Sequence, residues 1–290
     1  MKTTTLILGC GDIGIGLGQR LKSVGQRVVG VRRNVQALAD SGLEAAAADL
    51  TDPATLTALP DADVLIYVAS ADRFEEEAYR AAYAEGLRAV LAEFGARKKA
   101  PRRVFFVSST SVYPQQAGEE VDEASPAEPT GFAGMLIREA EQALFDHVLP
   151  GTAVRFSGIY GPGRDRLIRQ VSEGRIAPES PAMYSNRIHR DDCVGVLAHL
   201  VERELGGEEV EALYLASDCE PAPLHEVMSW LARQLKVEAT EIIQSPLRRR
   251  ASKRCSNARL LASGYAFRYP SYREGYAQVL REGGFLPEKA

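Results

Sequence analysis

The chain has 290 residues, 45% hydrophobic and 26% charged, with 35 Lys+Arg against 39 Asp+Glu and a net charge of −4. At about 100–200 residues per domain this length suggests one large domain, or one with a smaller partner, and a core that needs neither disulfide nor structural metal. The acidic balance argues against a dedicated nucleic-acid binder, which carries a basic surface. With 25 Gly and 15 Pro the chain is neither collagen-like nor of low complexity.

Four cysteines, Cys10, Cys193, Cys219 and Cys255, are scattered without a Cys-x-x-Cys or Cys-His cluster, so no metal site is expected. A reduced set of this kind suits the cytoplasm. No apolar run approaches the ~18 residues of a membrane span. The run before Cys10 faintly resembles a lipoprotein signal, but it is shorter than a secretory core of about 7–15 residues.

In chain order, Thr3 to Leu8 reads as a β-strand ending in Gly9, and Ile13 to Val24 as an amphipathic helix closed by Gly25. Arg27 to Val31 is a second strand, Asn34 to Ser41 a short helix, and Ala45 to Ala48 a third strand. Val64 to Ala69 is a strand apolar on both faces, as buried parallel strands are. Phe74 to Phe94 reads as one long helix, Val104 to Val107 as a strand, Gly131 to Leu149 as a helix and Ala153 to Phe156 as a strand. This alternation predicts an α/β fold: a Rossmann-type, doubly wound parallel sheet with a smaller C-terminal α/β region. Loops lengthen after Gly158. A helix over Asp191–Arg203, a strand over Ala212–Ala216 and a helix over Leu224–Leu235 follow. We expect domains at 1–157 and 158–290, with the helix 191–203 packed on the first.

Gly9-Cys10-Gly11-Asp12-Ile13-Gly14 fits the dinucleotide pattern G-x-G-x-x-G between a strand and a helix. Gly9 would make the tight turn, Gly11 would admit a pyrophosphate, and Gly14 would pack helix on strand. The N–H groups of the helix start, at Asp12 and Ile13, would face the phosphates. At the tip of the second strand an acidic residue would hold the ribose 2′-hydroxyl of NAD. Arg32-Arg33 stand there instead and suit the 2′-phosphate of NADP, so NADP is expected ahead of NAD. Two solvated surface arginines are the alternative. Asp49-Leu50 can reach an adenine edge, or Asp49 can cap a helix. Ala69 and Ser108, at later strand ends, complete the expected cofactor set.

Four segments together resemble the extended short-chain dehydrogenase/reductases, the NAD-dependent epimerase/dehydratase family. They are the glycine motif, Val107-Ser108-Ser109-Thr110-Ser111-Val112-Tyr113, Arg155-Phe156-Ser157-Gly158-Ile159-Tyr160-Gly161-Pro162-Gly163, and Ile188-His189-Arg190-Asp191-Asp192. The tail from Lys253-Arg254-Cys255-Ser256-Asn257 to Gly275 looks similar too. The resemblance implies hydride chemistry on a carbinol, often of a nucleotide sugar. It also implies a Ser/Thr, here Ser109, that orients the substrate.

The family's Tyr-x-x-x-Lys pair is missing: the corresponding helix places Ala133 and Ile137 there. Tyr113 and His189 are candidate substitute acids and Arg138 a candidate cation, each with a structural alternative: strand-end packing, a satisfied histidine, a surface charge. Arg248, Arg249, Arg250, Lys253, Arg254 and Arg259 crowd the tail. They read either as a solvated face or as an anion grip for a phosphate or carboxylate, with Lys253 and Arg254 the best candidates and Arg164 and Arg187 joining them. The expected protein is an NAD(P)-binding oxidoreductase acting on a small anionic or nucleotide-sugar-like molecule. A non-catalytic NADP(H) sensor is the alternative. Neither nucleic acid nor membrane is an expected partner. The helices at Phe74–Phe94 and Gly131–Leu149 carry apolar surface enough for a homodimer, which core packing accounts for equally well.

Overall fold

A computed structural model describes residues 3–243 and 252–285. They form two compact units: Met1–Val112 with Ala127–Arg155 and Val194–Tyr214, and Tyr113–Pro126 with Phe156–Cys193 and Leu215–Ala290. The chain therefore crosses between units more often than one cut after residue 157 provides. Tyr113–Pro126 belongs to the second unit, and most of the helix Arg190–Gly206 to the first.

The first unit is built on a seven-stranded sheet. Its order is Leu213–Ala216, Gly151–Phe156, Arg103–Ser109, Val64–Tyr67, Thr4–Leu8, Arg27–Arg32 and Glu44–Ala47. The pairings from Arg103–Ser109 through to Glu44–Ala47 are all parallel. The chain winds outward in both directions from Thr4–Leu8, so the doubly wound α/β sheet expected from the sequence is the fold. Thr4–Leu8 and Val64–Tyr67 are buried at every position, which is why they lack a polar face. The crevice at the reversal of strand order, outside the carboxyl ends of these two strands, is where such sheets bind ligands.

Several elements differ from their sequence-based limits. The 34–41 helix is a 3-10 segment, Val35–Ser41, begun by the Asn34 side chain accepting from Gln36 N–H and ended by Gly42 in the left-handed region. The third strand is Glu44–Ala47. The long helix starts at Glu76 and contains a π-turn, Arg80–Glu85, before continuing as Gly86–Gly95. The helix after Gly131 spans Phe132–Phe145 and stops four residues early, where the His147 ring accepts from Leu149 N–H.

The second unit has its own core. Ile168 and Val171 of the helix Arg166–Ser172, Val227, Met228 and Leu231 of Leu224–Leu235, and Tyr272, Tyr276 and Val279 of Tyr272–Glu282 pack together. The last helix opens on a capping box, Ser271 with Glu274. Three short parallel pairs, Gly158–Tyr160 with Arg187–His189, Glu119–Val121 with Lys253–Cys255 and Arg175–Ile176 with Glu241–Ile242, join this core among the described residues.

Candidate functional site: a dinucleotide cleft

A cleft of about 560 Å³ opens in the first unit. Gly9 and Gly11 line one side, Arg32, Arg33 and Asn34 the tip of the second strand, and Ala48 to Thr51 the end of the third. Ala69 to Arg73 and Glu77, Ala78, Ala81 and Ala82 form the facing wall. Thus Gly9, Gly11, Arg32, Arg33, Asp49, Leu50 and Ala69, spread over 61 positions of sequence, meet at one cleft.

The turn is built as its glycines require. Gly9 has φ +80°, and a Cβ there would lie 2.5 Å from the Ala69 Cα. Its N–H donates to the Val31 carbonyl at 3.0 Å, as does that of Cys10. A Cβ on Gly11 would meet only the Gly9 carbonyl oxygen, at 3.8 Å, so the backbone there is open to a ligand. Gly14 faces inward, where a Cβ would be 3.0 Å from Ile7. The helix Asp12–Ser23 begins with Gly11 as N-cap and has no side-chain cap hydrogen bond. An uncapped N-terminus of a 12-residue helix, beside a glycine turn, fits a phosphate. Asp12 is exposed in its first turn, and Ile13 half-buried behind it.

Asp49 is not the helix cap: Asp52 caps the helix Pro53–Leu56, its side chain accepting from Ala54 N–H, and Asp49 shapes the loop before it. Its carboxylate accepts from the Thr51 N–H and hydroxyl at 3.0 and 2.7 Å. These bonds hold it below the usual carboxylate range and shape the loop that lines the cleft.

Ser108 does not face the cleft. It is buried and its hydroxyl donates to Glu141 Oε1 at 2.6 Å, which corrects its assignment to the cofactor. Glu141, fully buried, also receives Arg155 Nε and Nη2 at 2.8 and 2.6 Å. Arg138 reaches Glu141 Oε2 from the helix surface at 3.3 Å, so it is an ion-pair partner rather than a free cation. This buried ion pair went unread in the sequence: Glu141 and Arg155 are 14 positions apart, one on the helix Phe132–Phe145 and one on the next strand. On that helix Ile137 is buried and Ala133 half-buried, on the stripe that ends in Glu141.

Ser109 closes its strand at the carboxyl end, and its Oγ accepts from Ser111 N–H at 3.1 Å. The remaining candidates lie in the second unit and are committed locally. Tyr113 is buried and donates to the Asp122 carbonyl at 2.6 Å. His189 is fully buried. Its Nδ1 accepts from Asp191 N–H, which places the proton on Nε2, 3.1 Å from Gln278 Oε1. Burial pushes its pKa down, so it is neutral at physiological pH. Neither residue is placed as a substitute acid, because each polar atom already serves the fold.

Within the anion grip, Lys253 and Arg254 are committed to backbone carbonyls. Lys253 is buried and donates to the Tyr113 carbonyl at 3.0 Å, while Arg254 on the outer face donates to the Gly118 carbonyl at 3.0 Å. Arg259 lies 3.8 Å from Glu123. Arg187 is buried, donates to Ser185 and lies over the Tyr272 ring at 5.5 Å, while its Nη1 is buried without a hydrogen-bond partner. Arg164 is half-buried just before the helix Arg166–Ser172. Arg248, Arg249 and Arg250 lie outside the described residues. No group of metal-ligating side chains occurs among the described residues, and no described helix is long and apolar enough to cross a membrane.

Residues 5–206 match the NAD dependent epimerase/dehydratase family. The chain belongs to that family. A solved protein of Methylobacillus flagellatus, assigned to the NAD-dependent epimerase/dehydratases, is 35% identical over 98% of this chain and 100% of its own, with a TM-score of 0.81. Human epimerase family protein SDR39U1, solved with NADPH, is 19% identical over 96% of this chain and 99% of its own, with a TM-score of 0.78. MoeE5, solved with UDP-glucose and NAD, is 20% identical over 97% of this chain and 99% of its own, also with a TM-score of 0.78. The last two share the fold. No curated protein matches the chain.

Proposed function

We propose that this family member is a nicotinamide-dinucleotide oxidoreductase that prefers NADP, with a small anionic or nucleotide-sugar-like substrate. The observation that carries the cofactor reading is the cleft itself: a glycine turn, an uncapped helix start and two guanidinium groups at the tip of the second strand. Gly9, Gly11 and the first N–H groups of Asp12–Ser23 would hold the pyrophosphate, and Arg32 and Arg33 the 2′-phosphate. A bound nicotinamide would supply or accept hydride. Among fold relatives, SDR39U1 was solved with NADPH and MoeE5 with UDP-glucose and NAD, which supports the cofactor and substrate classes.

The chain's own contribution at the reacting end is Ser109, whose hydroxyl stands at the strand's carboxyl edge and can orient a substrate hydroxyl. Ala133 and Ile137 move no proton. That observation favours a second reading, a protein that binds NADP(H) without turning over substrate. None of the four cysteines is in a disulfide, which suits a cytoplasmic protein. Exposed Met135, in a shallow hollow between the helices Gly86–Gly95 and Phe132–Phe145, suits a homodimer.

Calorimetric titration of NADPH and NADH into wild type and Arg32→Ala/Arg33→Ala tests the cofactor reading. A charge-assisted contact of about 1.5–3 kcal/mol gives a preference of roughly tenfold or more for NADPH, lost in the variant. Equal wild-type affinities would refute it. Hydride transfer from bound NADPH to a panel of sugar nucleotides then separates enzyme from sensor.

A further inference from the structure

Three buried polar atoms of the second unit have no protein partner: the Tyr160 hydroxyl, Arg187 Nη1 and Asp218 Oδ2. Their residues are 4%, 5% and 0% exposed, so bulk solvent does not reach them. Folded proteins rarely leave even one buried polar side-chain atom unpaired, because its desolvation is then uncompensated. The other atoms of the two charged groups are committed. Arg187 Nη2 donates to Ser185 Oγ at 2.5 Å, and Asp218 Oδ1 accepts from Glu220 N–H at 3.3 Å.

The fold brings these three residues to one place. In the parallel pair Gly158–Tyr160 with Arg187–His189, Gly158 stands opposite Arg187 and Tyr160 opposite His189. Side chains alternate along a strand, so Arg187, His189 and Tyr160 share one face, and Gly158 leaves room on it for the guanidinium. The helix Tyr272–Glu282 covers that face. The Tyr276 ring lies 4.5 Å from that of Tyr160, and a Cβ on Gly275 would strike the Tyr160 hydroxyl. One turn earlier, the Arg187 guanidinium lies over the Tyr272 ring at 5.5 Å. The hydroxyl and the guanidinium thus end against neighbouring turns of one helix. Asp218 adjoins them: its N–H donates to the Arg187 carbonyl at 2.7 Å, and Cys219 N–H to the Pro270 carbonyl at 2.9 Å, just ahead of that helix.

The chemistry of the three atoms selects their ligand. A guanidinium N–H only donates, a carboxylate oxygen only accepts, and a phenol does both. Arg187 Nη1 and Asp218 Oδ2 do not bond each other, since neither has a partner. An anion would suit Arg187 and be repelled by Asp218, and a cation the reverse. Water donates and accepts at once, and a buried water makes about three hydrogen bonds. We propose that the second unit holds an enclosed water site, where water accepts from Arg187 Nη1, donates to Asp218 Oδ2 and bonds the Tyr160 hydroxyl. The water ties the strand Arg187–His189, the segment at Asp218 and the last helix together in place of a direct salt bridge.

The first test is a crystal structure of the full chain at a resolution that shows ordered water. An enclosed peak should stand about 2.7–3.2 Å from Arg187 Nη1 and from the two oxygens. A direct Arg187–Asp218 ion pair, or three atoms packed dry, would overturn the proposal. The second test is urea denaturation of Tyr160→Phe, which keeps the ring and its contact with Tyr276. Removing a hydroxyl that bonds water should lower the folding equilibrium constant about three- to tenfold, the fold-change of one net hydrogen bond. Removing a dry, unpaired hydroxyl relieves its desolvation instead, so an unchanged or raised constant would also overturn the proposal. Should Tyr160→Phe fail to fold, the wild-type density decides alone.

Discussion

Replacing Glu141 by leucine tests the anchor of the helix that carries Ala133 and Ile137. Glu141 is 0% exposed and Arg155 2%, and two hydrogen bonds of 2.8 and 2.6 Å join them. Removing one partner leaves a buried charge uncompensated, at a cost of about 3–5 kcal/mol. For a chain of this size about 2 °C of melting temperature accompanies each kcal/mol, so Glu141→Leu should melt about 6–10 °C lower. Arg155→Leu should fall by a similar amount, since it strands the carboxylate. Glu141→Leu/Arg155→Leu should recover most of the loss, because two apolar side chains of similar volume remove both desolvation costs at once. Ser108→Ala, which removes one neutral donor, should cost only about 1 kcal/mol. The assay is a double-mutant cycle by thermal and urea denaturation. Additive losses in the double variant would show that the pair is not coupled and would refute this reasoning.

Asp218 is fully buried in the second unit, and burial pushes its pKa to about 7, partly offset by Arg187. Its folded value lies above its unfolded one, so its contribution to stability is full at low pH and is lost as pH rises through about 7. Melting temperature should therefore fall across that range in wild type and fall less in Asp218→Asn; parallel profiles would contradict the assignment. His189, held down by burial, works at the acid end: stability should drop as pH falls below the ordinary histidine range, and His189→Gln should blunt that drop in the same melts. Gly9→Ala should lower both stability and NADPH affinity, the latter by an order of magnitude or more. It places a Cβ at φ +80° and 2.5 Å from Ala69, with about 1–2 kcal/mol for the left-handed backbone alone; titration at full folding would show whether binding fails first.

What the sequence revealed and what it hid follow from how local each signal is. The glycine turn was legible because strand, turn and helix are adjacent and each glycine answers to a backbone need within a few residues. The buried strands were legible because a strand covered on both faces has no polar alternation. Arg32 and Arg33 were legible because the tip of the second strand is a fixed topological position. The tail misled because charge density says nothing of direction. Lys253 and Arg254 are neighbours on one strand, so alternation sends the first inward to the Tyr113 carbonyl and the second outward to Gly118. Glu141–Arg155 and the π-turn between Tyr79 and Gly86 depend on packing between elements, which no window of sequence contains.

Whether this family member moves protons turns on the first two turns of Phe132–Phe145. Ala133 is half-buried and Ile137 buried, and Glu141 follows one turn later on the same stripe. The ammonium introduced by Ile137→Lys would thus lie at i, i+4 from Glu141, a spacing that favours an ion pair. Glu141 already satisfies Arg155, Ser108 and Arg138, so the new charge would share a crowded acceptor and Ile137→Lys alone should destabilise the fold. Ala133→Tyr replaces a half-buried methyl and should be better tolerated. If only the proton-transfer groups are missing, Ala133→Tyr/Ile137→Lys should raise carbonyl reduction by NADPH about 10²-fold, the lower end of general acid–base effects. Ala133→Tyr should deliver part of that gain without the stability loss. A stopped-flow assay of NADPH oxidation against a carbonyl panel, with melting curves for each variant, reads both. Fast wild-type reduction that neither variant improves, and that survives Ser109→Ala, would mean that the proton comes from a group outside this stripe.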